Sequence, residues 1–281
     1  MREIKADDIV KTVAYLFEHS CHYLPEDVLT ALQQAKEKEE SPVARDVLDR
    51  IIQNTEIAGQ EQIPLCQDTG YSIVWLELGQ EVCIAGGDLY EAVNEGVRQG
   101  YASGYLRKSV VKQPFSARVN TKDNTPADIC TDIVPGDKLK ITVMPKGGGS
   151  ENMSRLTVLF PSLGRQGIID FVVNRVDESG SNPCPPIIVG VGIGGTTGKT
   201  MMLAKKALLR KIGEPNPDPE IAELEEEILR QVNNLGIGAM GYGGTVTAMA
   251  VHVESFPCHI ASLPVAVCLM CWCDRHEEVI L

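Results

Sequence analysis

Apolar residues recur over the first sixty positions at the three- and four-residue spacing of a helix with one buried face. After Asp7, read as the N-cap, Ile9, Val10, Val13, Leu16 and Phe17 form one stripe. A second helix is expected after Pro25. A third opens at Ser41-Pro42, cap then N1 proline, with Val43, Val47, Ile51 and Ile52 on its buried face. The period then shortens to two. Residues 71–78 are rich in β-formers, and Leu139, Ile141 and Val143 alternate with Lys138, Lys140 and Thr142, so both segments read as strands. A helix near 89–101 lies between them. Beyond Gly149 the pattern predicts helices around 152–160 and 166–177, a buried strand over 187–193, and a helix over 200–211 closed by Gly213. Asp218-Pro219 opens a further helix with Ile221, Leu224, Ile228, Val232 and Leu235 on its face and Gly236 as its stop. Strands return over 245–253 and 260–267. No internal repeat interrupts this order, and the one linker-like stretch, 213–219, sits between two helices. The expectation is a single α/β domain (mixed α+β) over 1–281, a helical N-terminal region followed by interlocked sheets and helices.

Composition narrows the chemistry. With 281 residues, 43% of them hydrophobic, the chain buries a substantial core. A net charge of −12 argues against nucleic acid as a partner, although a local group of arginines is enough to bind an acidic small molecule. No apolar run reaches membrane-spanning length, and the charged start, Met1 to Asp8, lacks a secretory core, so a soluble cytoplasmic protein with no membrane partner is expected. Nine cysteines without a secretion signal are, in a reducing compartment, core fillers, metal ligands or nucleophiles.

The glycine run 189–200 imitates two nucleotide loops. Gly190, Gly192 and Gly195 satisfy G-x-G-x-x-G between a strand and a helix, and Gly198-Lys199-Thr200 resembles the end of a P-loop. A P-loop needs glycine at 193, where the chain has isoleucine, and the acidic residue a ribose would require is poorly placed, since the region beyond Gly213 holds prolines and then a charged helix. A tight turn presenting amides to an anion is the preferred reading, with a nucleotide-binding protein using 190–200 as the rival from another class. Three further segments are more specific. Cys66-Gln67-Asp68-Thr69-Gly70 gathers a thiol, an amide, a carboxylate and a hydroxyl in one turn. Pro183-Cys184-Pro185-Pro186 fixes a cysteine between prolines, which a core filler does not need. The tail from Cys268 through Cys271 and Cys273 to His276 is dense in ligand-type residues, and a zinc module built on it is a third reading. The turn Lys146-Gly147-Gly148-Gly149 offers bare amides and an ammonium to an anion.

Taken with 120–127, Leu235-Gly236-Ile237-Gly238, 259–267 and Arg275-His276, these segments resemble, in order and nearly end to end, the α-subunit of class I fumarases and tartrate dehydratases, the iron–sulfur hydro-lyases. The resemblance implies a [4Fe-4S] cluster on Cys66, Cys184 and Cys271 at the centre of the fold, with Cys273 as the alternative third ligand. It implies a lyase that hydrates fumarate reversibly to malate, with L-tartrate or another substituted dicarboxylate as the alternative substrate. Three thiolates for four irons leave one iron open as a Lewis acid. By the same resemblance Asp68 and His259 are catalytic, and Gln67, Lys146, Gly147, Gly148 and Gly149 bind substrate. Arg107 joins them as a carboxylate clamp, because a guanidinium fork suits carboxylate geometry. Cys258 is read as a packing residue, Cys21, Cys83 and Cys130 as core, and His276 at most as hydrogen-bonding support for a ligand. A separate β-subunit in an α2β2 assembly is expected to complete the enzyme.

Overall fold

The computed structural model describes all 281 residues. In chain order the elements are β1 (Arg2–Lys5), α1 (Ala6–His22), α2 (Glu26–Lys38), α3 (Pro42–Glu61), β2 (Tyr71–Gly79), β3 (Val82–Ala85), α4 (Leu89–Ser103), β4 (Asp128–Val134), β5 (Leu139–Lys146), α5 (Gly148–Glu151) and β6 (Arg155–Leu159). They continue as α6 (Gly164–Ser179), β7 (Ile187–Gly194), α7 (Thr197–Ala207), α8 (Pro219–Asn233), β8 (Ala248–Phe256), β9 (Leu263–Met270) and β10 (Glu277–Ile280). The class is mixed α/β, with a helical N-terminal region before the sheets, as the pattern predicts. No helix is long and apolar enough to cross a membrane. The chain divides into two compact units, neither of them one continuous stretch: Met1–Pro25, Asn54–Gly148 and Arg275–Leu281 form the first, Glu26–Gln53 and Gly149–Asp274 the second.

In the first unit a four-stranded sheet runs β10-β5-β2-β4, with β2 antiparallel to β5 and parallel to β4, beside a parallel β1-β3 pair. Val74, Leu76, Ile141 and Val143 turn one face toward α1 and α4, whose Ile9, Val13, Leu16, Phe17, Val93 and Val97 complete the core. The α1 stripe is buried as its spacing predicts. Asp7 does not cap that helix. Lys5 occupies the N-cap without a side-chain bond, and Asp7 and Asp8 sit in the first turn, where carboxylates favour the positive helix end.

The second unit holds a sheet ordered β6-β9-β7-β8. Alternation puts Val189, Val191, Val251, Val253, Val265 and Val267 against α6 and α8 on one face. Gly190 and Gly192 lie on the other, under α7. A Cβ at 190 would lie 2.2 Å from the Ala204 carbonyl oxygen, and one at 192 would lie 2.0 Å from that of Thr200. These glycines therefore let a helix approach a strand, and the first half of the dinucleotide-like motif is a packing device.

The pattern misleads at a few places. Residues 152–160 are not helical: α5 ends at Glu151, and Arg155–Leu159 pairs antiparallel with β9 as an edge strand, its β-branched Thr157 and Val158 meeting Val265 and Pro264. The helix placed at 200–211 begins earlier, because the Thr196 side chain accepts the Lys199 N–H, and it unwinds into three-residue turns after Ala207. Strands β1, β3, β4 and β10 were not anticipated; most are short edge strands without a long alternating signal.

One buried carboxylate organises the second unit's loops. Glu39 is fully buried, and its side chain accepts N–H groups from Ser41 at 2.9 Å, Thr245 at 3.0 Å and Val246 at 3.1 Å. Burial alone would raise its pKa, but these main-chain donors outweigh that and hold it below the ordinary value of 4.5. A depressed carboxyl pKa adds stability that is present above the unfolded value and is lost as pH falls through the folded one. Glu39→Gln should therefore lower the unfolding free energy by about 1.5–3 kcal/mol at neutral pH. Urea titrations should show that gap narrowing as the pH is lowered to about 4; an equal gap at both pH values would sink this account.

Candidate functional site

In the first unit the chain leaves α3, passes Leu65, whose N–H donates to the Cys21 carbonyl at 2.9 Å, and turns through Cys66 to Gly70 into β2. Asp68 is the hub of this turn. Its carboxylate accepts the Gly70 N–H at 3.1 Å and the Gly148 N–H at 2.8 Å, and its carbonyl accepts an Arg275 guanidinium N–H at 2.9 Å. Its own N–H lies 3.4 Å from the Cys66 Sγ. The anion held by the triglycine turn is thus, at Gly148, a carboxylate of the protein itself. Gly70 has φ +82°, and a Cβ there would lie 2.6 Å from the Lys146 nitrogen, so both conformation and space demand glycine. Lys146 and Arg275 are buried to 1% exposure in this unit, and Gly147 packs near Asp68.

Two residues whose role the sequence does not disclose brace the same turn. The Tyr101 hydroxyl lies 2.9 Å and 3.1 Å from the carbonyls of Thr69 and Gly70. Asn124, buried and at φ +62°, accepts the Ser109 N–H at 2.7 Å and donates to the Gly70 carbonyl at 3.2 Å and the Ser72 hydroxyl at 2.9 Å. Only its place in the 120–127 motif marked it. Burial pushes the Cys21 thiol up to about 11, with Arg275 pulling down and Cys66 pushing up more weakly. Burial raises the Tyr101 hydroxyl as well, with Cys21 adding to the effect. Both groups are neutral fillers behind the turn. Arg107 is exposed, and its carbonyl accepts the Thr69 hydroxyl at 3.0 Å; Gln67 is exposed at the tip.

In the second unit Cys184 and Cys271 are brought together through the backbone. The Cys184 carbonyl accepts the Trp272 N–H at 3.2 Å, and the Cys184 N–H donates to Ser181 at 3.0 Å. Cys184 has φ +55°, a left-handed conformation that costs a non-glycine residue about 1–2 kcal/mol and that clusters at functional sites. The loop after α8 supports it. Met240 donates to the Pro185 carbonyl at 2.7 Å, and a Cβ on Gly241 would lie 2.4 Å from that of Ser181. Gly149 adjoins the same turn, since a Cβ there would lie 3.0 Å from the Asn182 carbonyl oxygen.

His259 is not gathered with these cysteines. It sits exposed in the turn before β9, its Nδ1 accepting the Ala261 N–H at 3.1 Å, while Cys271 follows the other end of that strand. Eight residues of strand separate the two ends by about 23 Å. The glycine turn 194–198 lies at the His259 end of the sheet, because β7 and β9 run antiparallel.

All nine cysteines are free. Cys66, Cys184 and Cys271 are half-buried on loops, whereas Cys273 is 1% exposed. Cys21 is core as expected. Cys83 and Cys258 are exposed instead, one on the edge strand β3, the other in the tight turn 257–262 with its Sγ 3.2 Å from the Ser262 carbonyl. No group of three His, Cys, Asp or Glu side chains is arranged to hold a single metal ion. Within the tail, Cys268 is committed to β9 and lies 3.0 Å from the Ser154 hydroxyl. A cluster joins each thiolate to a different iron, so its ligands need not meet at a point. Cys66 in the first unit, with an N–H directed at its sulfur, and Cys184 and Cys271 in the second are each a half-buried loop thiol, the kind of donor such a group takes.

The family model described as fumarate hydratase (Fumerase) matches residues 10–280. Relatives include a protein named as a candidate L(+)-tartrate dehydratase subunit alpha in Methanocaldococcus jannaschii, 46% identical over 95% of each chain. The L(+)-tartrate dehydratase subunit alpha of Escherichia coli O157:H7 is 34% identical over 92% of this chain and 86% of its own, and that of strain K12 is 33% identical over the same shares. The chain belongs to this fumarate hydratase family of hydro-lyases, alongside tartrate dehydratase alpha subunits.

Asn124→Ala would strip partners from the Ser109 N–H, the Gly70 carbonyl and the Ser72 hydroxyl. We expect a loss of about 2–3 kcal/mol by denaturant titration. Alkylation of Cys66, mapped by peptide mass spectrometry, should accelerate relative to Cys184. Unchanged stability with an unchanged Cys66 rate would show that Asn124 does not brace the turn.

Proposed function

We propose that residues 1–281 act as one catalytic subunit, the cluster-bearing α-subunit of an iron–sulfur hydro-lyase that hydrates fumarate reversibly to malate. The observation carrying this reading is the Asp68 turn. The Asp68 carboxylate is fixed by two main-chain N–H groups and the Asp68 carbonyl by a buried arginine, two residues from a half-buried thiol. Membership of the family supplies the reaction class. Cys66, Cys184 and Cys271 supply the thiolates of a [4Fe-4S] cluster. The choice of Cys271 over Cys273 is supported by exposure, since the second thiol is buried. When bound, such a cluster keeps one iron free of protein ligands, a Lewis acid for the hydroxyl and carboxylate oxygens of substrate.

The chain's own groups do the rest. Each Asp68 oxygen already accepts one N–H and retains capacity for another donor, so the side chain orients the group that moves the proton at the carbon beside a carboxylate. Gln67 and Arg107, exposed next to the turn, bind the substrate carboxylates, with the ammonium of Lys146 and the amides of Gly147 and Gly149 contributing to the same field. His259 lies a strand length from Cys271, so no part is given to it at the thiols of its own chain. A separate β-subunit completes the enzyme in an α2β2 assembly, consistent with relatives named as alpha subunits. Nine free cysteines suit a reducing cytoplasm. Dehydration of L-tartrate is the second reading, favoured by the names of those same relatives.

The test is anaerobic co-expression with the candidate second subunit, followed by iron and acid-labile sulfide analysis, visible spectra, and assays on fumarate, malate, tartrate and mesaconate. A brown protein with turnover of fumarate or malate is expected. Turnover of tartrate alone would select the second reading, and a colourless zinc protein would end the cluster reading. Cys271→Ala should lose the visible absorption and Cys273→Ala should keep it; the reverse would exchange the third ligand.

A further inference from the structure

Between α4 and β4 the chain makes an excursion whose outer part, residues 110–121, carries none of the residues assigned to the reaction. Val111 and Asn120 form an antiparallel bridge, the Lys112 N–H donates to the Val119 carbonyl at 2.8 Å and the Thr121 N–H to Val110 at 2.9 Å. This is a short hairpin with its tip at 113–118. The tip is closed on itself. Arg118, at φ +48°, donates to the Pro114 carbonyl, and the Ser116 hydroxyl donates to Gln113 at 2.8 Å. Phe115 projects from it with 90% of its surface in water, and Tyr105 near the root is 88% exposed. Val110, Val111 and Pro114 line a cavity of about 640 Å³ with Tyr71 and Pro126.

The charge of this segment opposes that of the chain. From Tyr105 to Lys122 there are five basic residues, Arg107, Lys108, Lys112, Arg118 and Lys122, and no acidic one, in a protein of net charge −12. An aromatic on a pre-closed turn, ringed by cations, has the anatomy of an interface anchor: a rigid ring costs little ordering entropy, and the charges set partner and orientation. Nucleic acid is a poor match for a chain this acidic overall.

We propose that hairpin 110–121 is the docking element for a separate protein chain that offers an apolar pocket to Phe115 and carboxylates to Lys112, Arg118 and Lys122. This rests on the two-subunit reading above and names the surface it requires. The hairpin's root also reaches the candidate site. The Asn120 side chain donates to the Lys108 carbonyl at 2.8 Å, Thr69 donates to that of Arg107 at 3.0 Å, and Asn124 joins Ser109 to Gly70. The hairpin's root is thus hydrogen-bonded, through Arg107, Ser109 and Asn124, to the turn that carries Cys66 and Asp68.

The full-length chain, Phe115→Ala and the double variant Lys112→Glu/Lys122→Glu are each titrated with the purified candidate second subunit. Calorimetry measures affinity, analytical ultracentrifugation measures stoichiometry, and melting temperatures control for folding. The wild type should bind, both variants should weaken Kd about tenfold or more at unchanged melting temperature, and the charge variant should flatten the salt dependence of association. A complex that tolerates both variants overturns this inference alone. Absence of any wild-type complex overturns it together with the two-subunit reading. Self-association of the chain that Phe115→Ala abolishes makes the occupant a second copy and overturns it as well.

Discussion

Asp68 accepts main-chain N–H groups on both carboxylate oxygens and an arginine N–H on its carbonyl, so the turn from Cys66 to Gly70 has little freedom left to move. Much of the first unit around it is arranged to permit those bonds. Gly70 must be glycine for β2 to start against Lys146, and β5 must end at Lys146 for Gly148 to reach the carboxylate. Arg275 must return at the head of the C-terminal segment. Tyr101 and Asn124 then close the carbonyls the turn leaves open. A charge-assisted bond to a carboxylate is about twice as strong as a neutral one, so this hub outweighs its neighbours in fixing the loop.

In the second unit the same end is reached differently. Cys184 is held by conformation: a left-handed residue in a proline-bounded turn, its N–H and carbonyl both bonded. A residue in that conformation persists only when its surroundings over-determine it. The 236–244 loop does so, pressing Met240 onto Pro185 and Gly241 onto Ser181. That explains how a loop more than fifty residues further along the chain bears on the conformation of Cys184.

Long periodic elements were legible in the sequence because burial on one face writes a period. The α1 and α8 stripes, and β2, β5 and β7, stand where the pattern puts them. The strand at 155–159 was misread because five residues carry too little period to be told from a helix turn, and its identity comes from β9. Of the candidate site, the sequence marks Asp68 and Gly148 but not their bond, and Asn124 only as part of the 120–127 motif; Tyr101 it does not mark, since a buried hydroxyl looks ordinary until its partners are known. Gly190 and Gly192 illustrate the converse. A motif shared by phosphate cradles and close helix–strand packing cannot be resolved by spacing, whereas the carbonyl oxygens 2 Å from their missing Cβ atoms resolve it.

The electrostatics of the first unit complete the picture. A chain of net charge −12 repels a dianion at long range, and an exposed lysine or two would be screened within about 8–10 Å. Lys146 and Arg275 are instead buried within the unit that carries Asp68, where low dielectric magnifies their field and burial makes their positions definite. Burying two cations costs desolvation that Asp68 offsets only for Arg275, to which it is bonded through its carbonyl and not its carboxylate. The carboxylate is spent on amides, which carry dipoles and no net charge, so the cationic field of this region is not cancelled by a direct ion pair with Asp68. An arrangement meant only for stability would have paired carboxylate with guanidinium. Sending the guanidinium to a carbonyl leaves the Asp68 carboxylate on amides, so its charge stays at the Cys66 turn and is not neutralised there by Arg275.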